Sequence, residues 1–257
     1  MRMPLLNVQN VVKSYGGVTA NHDISLQIHP GEIVSIIGPN GAGKTTLFNL
    51  ISGVERPDSG RVEFEGRNIT MLATPEIARL GLVRTFQQTK IFRDLTVHEA
   101  VMIGHHLYCR TTLWDAFMAN PRARRERKRS MQEAFEVIEF LGLQPRVHMI
   151  TQNLPYGEQK LLGIAIALAA KPKLLLLDEP AAGMNSNEAL RLMESIHKIK
   201  ETGITVGLVE HNMRLVMSIS EKIFVLNYGD LIAEGVPEEV RTDPKVIEVY
   251  LGRPKHA

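Results

Sequence analysis

Gly38-Pro39-Asn40-Gly41-Ala42-Gly43-Lys44-Thr45-Thr46 has the spacing G-x4-G-K-[ST]. Residues of these types in this order can cradle a polyphosphate. Glycines let the backbone curl so that successive N–H groups point inward, and the start of a following helix adds a favourable dipole at the anion. Lys44 would reach the β- and γ-phosphates, and Thr45 would place its hydroxyl on Mg2+. A nucleotide site needs a second metal anchor. Leu174 to Leu177 followed by Asp178-Glu179 supplies it: four apolar residues bury a strand, and the carboxylates emerge at its end. Asp178 would hold the metal through water, and Glu179 would act as a base toward the attacking water.

These residues need a scaffold, and the flanking sequence predicts one. EIVSIIG (32–38) is a short apolar run ending in glycine, the sign of a buried central strand, and a helix should start at Gly43 and run through TTLFNLIS. Residues 5–12, 24–28, 60–66 and 81–86 read as strands, as do KLLLLDEP (173–180) and ITVGLVEH (204–211). IFVLNYG with LIAEG (223–235) reads as a hairpin, and EQKLLGIAIALAA (158–170) and NEALRLMESIHKIKE as helices. Alternating strands and helices imply an α/β fold, with a mainly parallel sheet covered by helices on both faces. Between Thr96 and Leu141 the character changes. Apolar residues of VHEAVMIGHHL and SMQEAFEVIEFLGL recur at three- and four-residue spacing, which predicts amphipathic helices. The loop between them is expected to carry Trp114, Pro121 and a basic run. Residues 90–155 read as a mostly helical insertion.

The chain has 257 residues, 44% apolar and 23% charged, ordinary proportions for a globular protein. Disorder, collagen and a disulfide-stapled secreted scaffold are excluded. The longest apolar stretch, Leu161 to Ala170, is about half of a membrane span, and the N-terminus lacks a signal-peptide core. Cys109 is the single cysteine, so no internal disulfide can form. The expected location is the cytoplasm. Arg122, Arg124, Arg125, Arg127, Lys128 and Arg129 stand against Glu126 alone, a local +5; with a net charge of +2, the rest of the chain carries −3. A solvated loop and helix start is the plain reading of this run, and anionic lipid heads are the alternative. Nucleic acid is not expected, since interleaved aromatics and a reading helix are missing. His105 and His106 read as surface or packing residues.

Further motifs fall in order around the phosphate loop. Tyr15 lies in KSYGG, Gln87 in RTFQQ, Ala182-Gly183-Met184-Asn185 after the paired acids, and His211 in VEHNM. Asn153-Leu154-Pro155-Tyr156-Gly157-Glu158-Gln159 precedes the long helix. In this set the chain resembles the ATP-binding subunits of ABC transporters over nearly its whole length. The resemblance implies a P-loop NTPase core with an N-terminal antiparallel β portion (residues 1–89 and 156–257) and an inserted helical subdomain (90–155). It implies ATP and Mg2+ as cofactors. Tyr15 would stack on adenine, and Gln87 would contact the metal and the water while linking the site to the helical region. Ala182 to Asn185 would form a dimer-contact loop, with His211 as the switch histidine beside Glu179. A second ATPase subunit, packed head to tail, would cover the γ-phosphate with the N–H groups of Tyr156 and Gly157.

LVRTFQQTKIFRDLTVHEAV, LPYGEQ, LLLLDEPAAGMN, VEHNMRLVM and the ending DPKVIEVYLG resemble more narrowly the ATPases of branched-chain amino-acid importers. That branch implies membrane permease subunits, seated near Gln87 to Phe92, an external solute-binding protein, and a place on the inner face of the membrane. Urea or amide importers and a lipopolysaccharide-exporter ATPase are its neighbours. A single phosphate loop, without heptads or CxxC, speaks against the soluble ABC ATPases of DNA repair or translation. The signature departs from L-S-G-G-Q. Pro155 replaces the serine and removes both a hydroxyl and an N–H, so weakened but retained ATP-driven dimerisation is expected.

Overall fold

The computed structural model describes residues 3–85, 93–105 and 121–251. Its strands, in chain order, are β1 (Leu6–Tyr15), β2 (Val18–Ile28), β3 (Ile33–Ile37), β4 (Ser59–Phe64), β5 (Arg67–Asn68), β6 (Leu82–Arg84), β7 (Leu174–Asp178), β8 (Thr205–Val209), β9 (Lys222–Asn227) and β10 (Asp230–Gly235). Its helices are α1 (Lys44–Ile51), α2 (Thr74–Leu80), α3 (Val97–Gly104), α4 (Pro121–Phe140), α5 (Tyr156–Ala169), α6 (Ser186–Glu201), α7 (Met213–Ile219), α8 (Pro237–Thr242) and α9 (Pro244–Leu251). The chain forms two compact units, Met1–Arg84 with Lys173–Ala257, and Thr85–Pro172. Sequence reading set the breaks at 89/90 and 155/156; the units part at 84/85 and 172/173, which leaves α5 with the helical segment.

In the first unit β1, β2, β4 and β5 make an antiparallel sheet in the order β2-β1-β4-β5. The second sheet has the order β10-β9-β3-β8-β7-β6, parallel except for the β9–β10 hairpin at its edge. Every residue of β3 (IVSII), β7 (LLLLD) and β8 (TVGLV) is buried. Strands covered on both faces read as continuous apolar runs, and for that reason they were visible in the sequence. Between the two sheets lies a core containing Ile24, Val34, Leu47, Phe48, Phe64, Leu176 and Phe224. The expected α/β architecture with an antiparallel N-terminal portion is the one observed.

Helix starts follow local chemistry. Asn185 caps α6 by accepting from the N–H groups of Asn187 and Glu188 at 3.0 Å each, while Glu188 accepts from the Asn185 N–H at 2.9 Å. Such a reciprocal capping box satisfies donors that the first turn cannot. Lys198 and Lys200 sit in its last turn, where the dipole favours cations.

The second unit packs α3, α4 and α5, with Val97, Val101, Ala134, Ile138, Leu162 and Ala165 buried. The basic run required a correction. Sequence reading places it in a loop and the start of a helix; α4 begins at Pro121 and carries all of residues 122–129 in its opening turns, so no part of the run is loop. Proline suits a first helical position, because its missing N–H would have no partner there. Six cations with few apolar neighbours hid the helix from a periodicity argument. Trp114, Cys109 and His106 lie outside the described residues. Among the described residues no helix is long and apolar enough to cross a membrane.

Candidate nucleotide site

Strand order decides what meets at the site. β3, β8 and β7 are neighbours and parallel, with Ile36 and Asp178 both opposite Val209. The phosphate loop, Glu210-His211 and Asp178-Glu179 therefore leave the sheet side by side, at the carboxyl ends of its strands. Ligands of open α/β sheets bind at that edge.

Two glycines are required for the loop to lie where it does. Gly38 has φ +152 and Gly43 φ +97; a Cβ at either would stand 2.1 Å from a carbonyl oxygen, that of Leu226 or of Ala20. Gly43 is also the N-cap of α1, without a side-chain cap, so the N–H groups of the first turn have no partner within the helix. Asn21, fully buried, holds this corner by donating Nδ2 to the Gly43 carbonyl at 3.2 Å. Lys44 is 5% exposed, and its Nζ donates to the carbonyls of Gly38 and Pro39 at 2.8 and 2.9 Å. Burial lowers the pKa of this ammonium, and the Glu179 and Asp178 carboxylates work against that shift.

An open cleft of about 480 Å³ is lined by Tyr15, Ala20, Asn40, Gly41, Ala42, Gly43, Lys44, Thr45, Thr46, Glu179 and His211. All but Ala20 were expected at a nucleotide site. The Tyr15 hydroxyl donates to Glu55, which also accepts from Asn49 Nδ2 at 2.6 Å. Burial and that carboxylate raise the phenol's pKa. The ring is partly exposed where it lines the cleft, with Lys13 Nζ 5.5 Å from its centroid.

Glu179 and His211 meet, with Oε1 and Nε2 2.6 Å apart. Glu179 takes φ +46, a left-handed backbone that a non-glycine residue holds only under constraint from its surroundings. Its N–H donates to the Val209 carbonyl at 2.9 Å, which ties the turn after β7 to the end of β8.

Asp178 is not among the residues lining the cleft. Only 6% exposed, it accepts from Arg84 Nη2 at 2.6 Å through Oδ2. Arg84 also donates to Asn49 Oδ1 and Ser52 Oγ, and its guanidinium lies 5.6 Å from the Phe48 ring centroid. The paired acids thus have different duties. Asp178 is a fixed, charge-compensated carboxylate, and Glu179 is the one in contact with the cleft. Arg84, Asn21 and Glu210, whose contacts are described below, were missed in the sequence. Arg84 opens RTFQQ and Glu210 lies inside VEHNM, but neither motif names its partner.

A hydroxyl at Thr45 and a carboxylate at Asp178 are hard oxygen donors. They suit Mg2+, which keeps several waters and takes the rest of its shell from phosphates. Among the described residues no three His, Cys, Asp or Glu form a group that could hold a metal ion. Gln87 and the stretch to Phe92 lie outside the described residues.

The signature belongs to the second unit. Pro155 is the N-cap of α5, with its carbonyl accepting from the Gln159 N–H at 3.0 Å. Proline therefore precedes the helix instead of interrupting it. Tyr156 is exposed under Lys160, whose Nζ lies 5.7 Å from the ring centroid, and Gly157 is buried. Glu158, in the position of the usual glutamine, accepts from Arg146 Nε at 3.0 Å.

Comparison with known proteins agrees with this geometry. The ABC transporter family matches residues 21–182, and the branched-chain amino acid ATP-binding cassette transporter family matches 231–256. Over 253 residues the chain is 40% identical to the high-affinity branched-chain amino acid transport ATP-binding protein LivG of Escherichia coli, covering 98% of this chain and 99% of that protein. It is 39% identical to BraF of Pseudomonas aeruginosa, named for the same transport, with the same coverage. A nucleotide-free ATP-binding cassette from an ABC transporter superposes with a TM-score of 0.86 at 34% identity, covering 98% of this chain and all of the other. The ADP conformation of the cassette MJ1267 gives 0.85 at 33%, with the same coverage. A dimeric cassette, MJ0796, bound to ADP and Pi, gives 0.77 at 26%, covering 90% of this chain and 98% of the other. With matches along its length and a phosphate loop, paired acids and histidine gathered at one sheet edge, the chain belongs to the ABC transporter family, in the branch of branched-chain amino acid transport ATP-binding proteins.

Proposed function

We propose that this chain is the ATPase subunit of an importer for branched-chain amino acids, and that it works as a head-to-tail dimer beneath membrane permease subunits. An external solute-binding protein would deliver the amino acid, and this subunit would lie on the cytoplasmic face of the membrane. The observation that carries the proposal is the 2.6 Å contact between Glu179 and His211 at the wall of the cleft that holds Lys44.

Phosphoryl transfer needs positioning and charge stabilisation more than covalent help from the protein. The first-turn N–H groups of α1 and the Lys44 ammonium would take the charge of the β- and γ-phosphates. Tyr15 would hold the adenine. Glu179 would accept the proton of the attacking water, while His211 orients that carboxylate and contacts the γ-phosphate. Gln87 is assigned to the same water and to the metal. Thr45 and Asp178 would hold Mg2+, whose chemistry is to neutralise charge on the phosphate oxygens. Arg84, donating to Asp178 at 2.6 Å, holds that carboxylate oriented for the task. Tyr156 and Gly157 of a second subunit would close the site.

The test is steady-state phosphate release by the purified chain with MgATP. Glu179→Gln should keep nucleotide binding and lose turnover by about 10²-fold or more. Isolation from native membranes in mild detergent should bring two polytopic permeases with it. A wild-type chain that binds ATP without turnover would refute the catalytic assignment, and ribosomal or DNA-repair partners in the soluble fraction would refute the transport assignment.

A further inference from the structure

The Glu210 carboxylate is 3% exposed, and the mechanism above leaves it without a role. Its Oε1 accepts from the Ala181 N–H at 2.7 Å, and its Oε2 from the N–H groups of His211 and Asn212 at 3.0 and 3.4 Å. One side chain thus spans two turns, the one after β7 and the one after β8. Ala181 is two residues beyond Glu179, whose own N–H is tied to the Val209 carbonyl at 2.9 Å. The left-handed residue Glu179 is therefore clamped on both sides, by Val209 before it and by Glu210 after it. On the other turn the same carboxylate grips the backbone of His211 itself, and Asn212 goes on to cap α7 by accepting from the Leu215 N–H at 3.3 Å.

We infer that Glu210 is a positioning residue for ATP hydrolysis, a carboxylate clip that sets the distance between Glu179 and His211 and couples both to the turn leading into Ala182–Asn185. The inference rests on the function proposed above. Its physical basis is that hydrogen bonds to an ionised acceptor are short and strong, and that burying a charge is costly unless donors surround it. Three backbone donors supply that surround here. They belong to the two turns whose relative placement the Glu179–His211 pair requires.

Glu210→Gln keeps the volume and replaces one acceptor oxygen by an NH2 group facing an N–H. Turnover should fall by about 10- to 100-fold, the scale of a misplacement near 1 Å. KM for MgATP should stay within about twofold, because the phosphate loop is untouched. In 15N-histidine spectra of the nucleotide-free protein, the His211 ring signal should move to its position in Glu179→Gln. Should Glu210→Gln not fold, Glu210→Asp, which withdraws the charge by one methylene, serves for the same two readouts. Unchanged turnover with an unmoved His211 signal overturns the inference, as does a parallel loss of nucleotide affinity and turnover, which marks a general structural role. If the wild-type chain itself fails to turn over ATP, the proposed function fails, and the histidine spectrum still decides for or against the clip.

Discussion

At the scale of single residues, environment separates groups that look alike in the sequence. Asp178 and Glu179 are consecutive acids, but one is buried against Arg84 and the other shares a contact with His211 at the cleft. Losing Arg84 would leave an uncompensated buried carboxylate, a far larger penalty than losing a surface pair. His105 gives the reverse lesson. It was read as a surface or packing residue, and it is buried, 4% exposed, with Nδ1 3.4 Å from Glu133. Glu133 is already engaged by Lys171 and Arg129, at 2.7 and 2.9 Å. Burial lowers the pKa of the imidazole, with the Lys171 and Arg129 charges acting in the same direction and Glu133 against. The folded pKa is thus below the unfolded value of 6.5. Stability is complete above about pH 6.5 and declines as pH falls from there toward the lower folded pKa, because the unfolded chain takes up the proton first. In chemical denaturation from pH 7.5 down to pH 5, His105→Gln should lose less stability on acidification than wild type. The slope removed should be at most about 1.4 kcal/mol per pH unit, the value for one proton.

At the scale of elements, close backbone approach matters as much as apolar periodicity. α3 and α5 meet at Gly104, where a Cβ would lie 2.1 Å from the Ile166 carbonyl oxygen and 2.8 Å from Ala169 Cβ. Gly104→Ala should destabilise by about 1–3 kcal/mol through overpacking. Hydrogen exchange should localise the loosening to α3 and α5, and an unchanged denaturation midpoint would show that the helices separate at no cost. The strands and most helices were legible because buried runs and amphipathic spacing are properties of a short window. The first turns of α4 were not. They stack cations at the positive end of the helix dipole, where each is unfavourable, and tertiary packing of the later turns carries the helix. Arg129 finds Glu133 one turn on, at 2.9 Å.

At the scale of the molecule, the phosphate loop and the signature lie in different compact units of one chain. Under the proposed function each is completed by a second copy or a sister subunit. Pro155 removes an N–H and a hydroxyl from the signature, but as N-cap it leaves α5 and the buried Gly157 in place. Dimerisation driven by ATP should thus be weakened and not abolished. Light scattering on Glu179→Gln at millimolar MgATP is expected to show a dimer that reverts when nucleotide is removed. A strictly monomeric species under those conditions would contradict the head-to-tail arrangement.

By itself the sequence determined the phosphate loop, the acid pair, the buried strands and the α/β class. Each of these is written in consecutive residues, where spacing alone carries the physics. Tertiary structure decided which distant groups share a charge. Arg84 reaches Asp178 across 94 positions, Glu210 reaches Ala181 across 29, and Asn21 reaches Gly43 across 22. The order β3-β8-β7 brings His211 to Glu179. Strand order is a global property of how buried surfaces pair, and no window of the chain contains it.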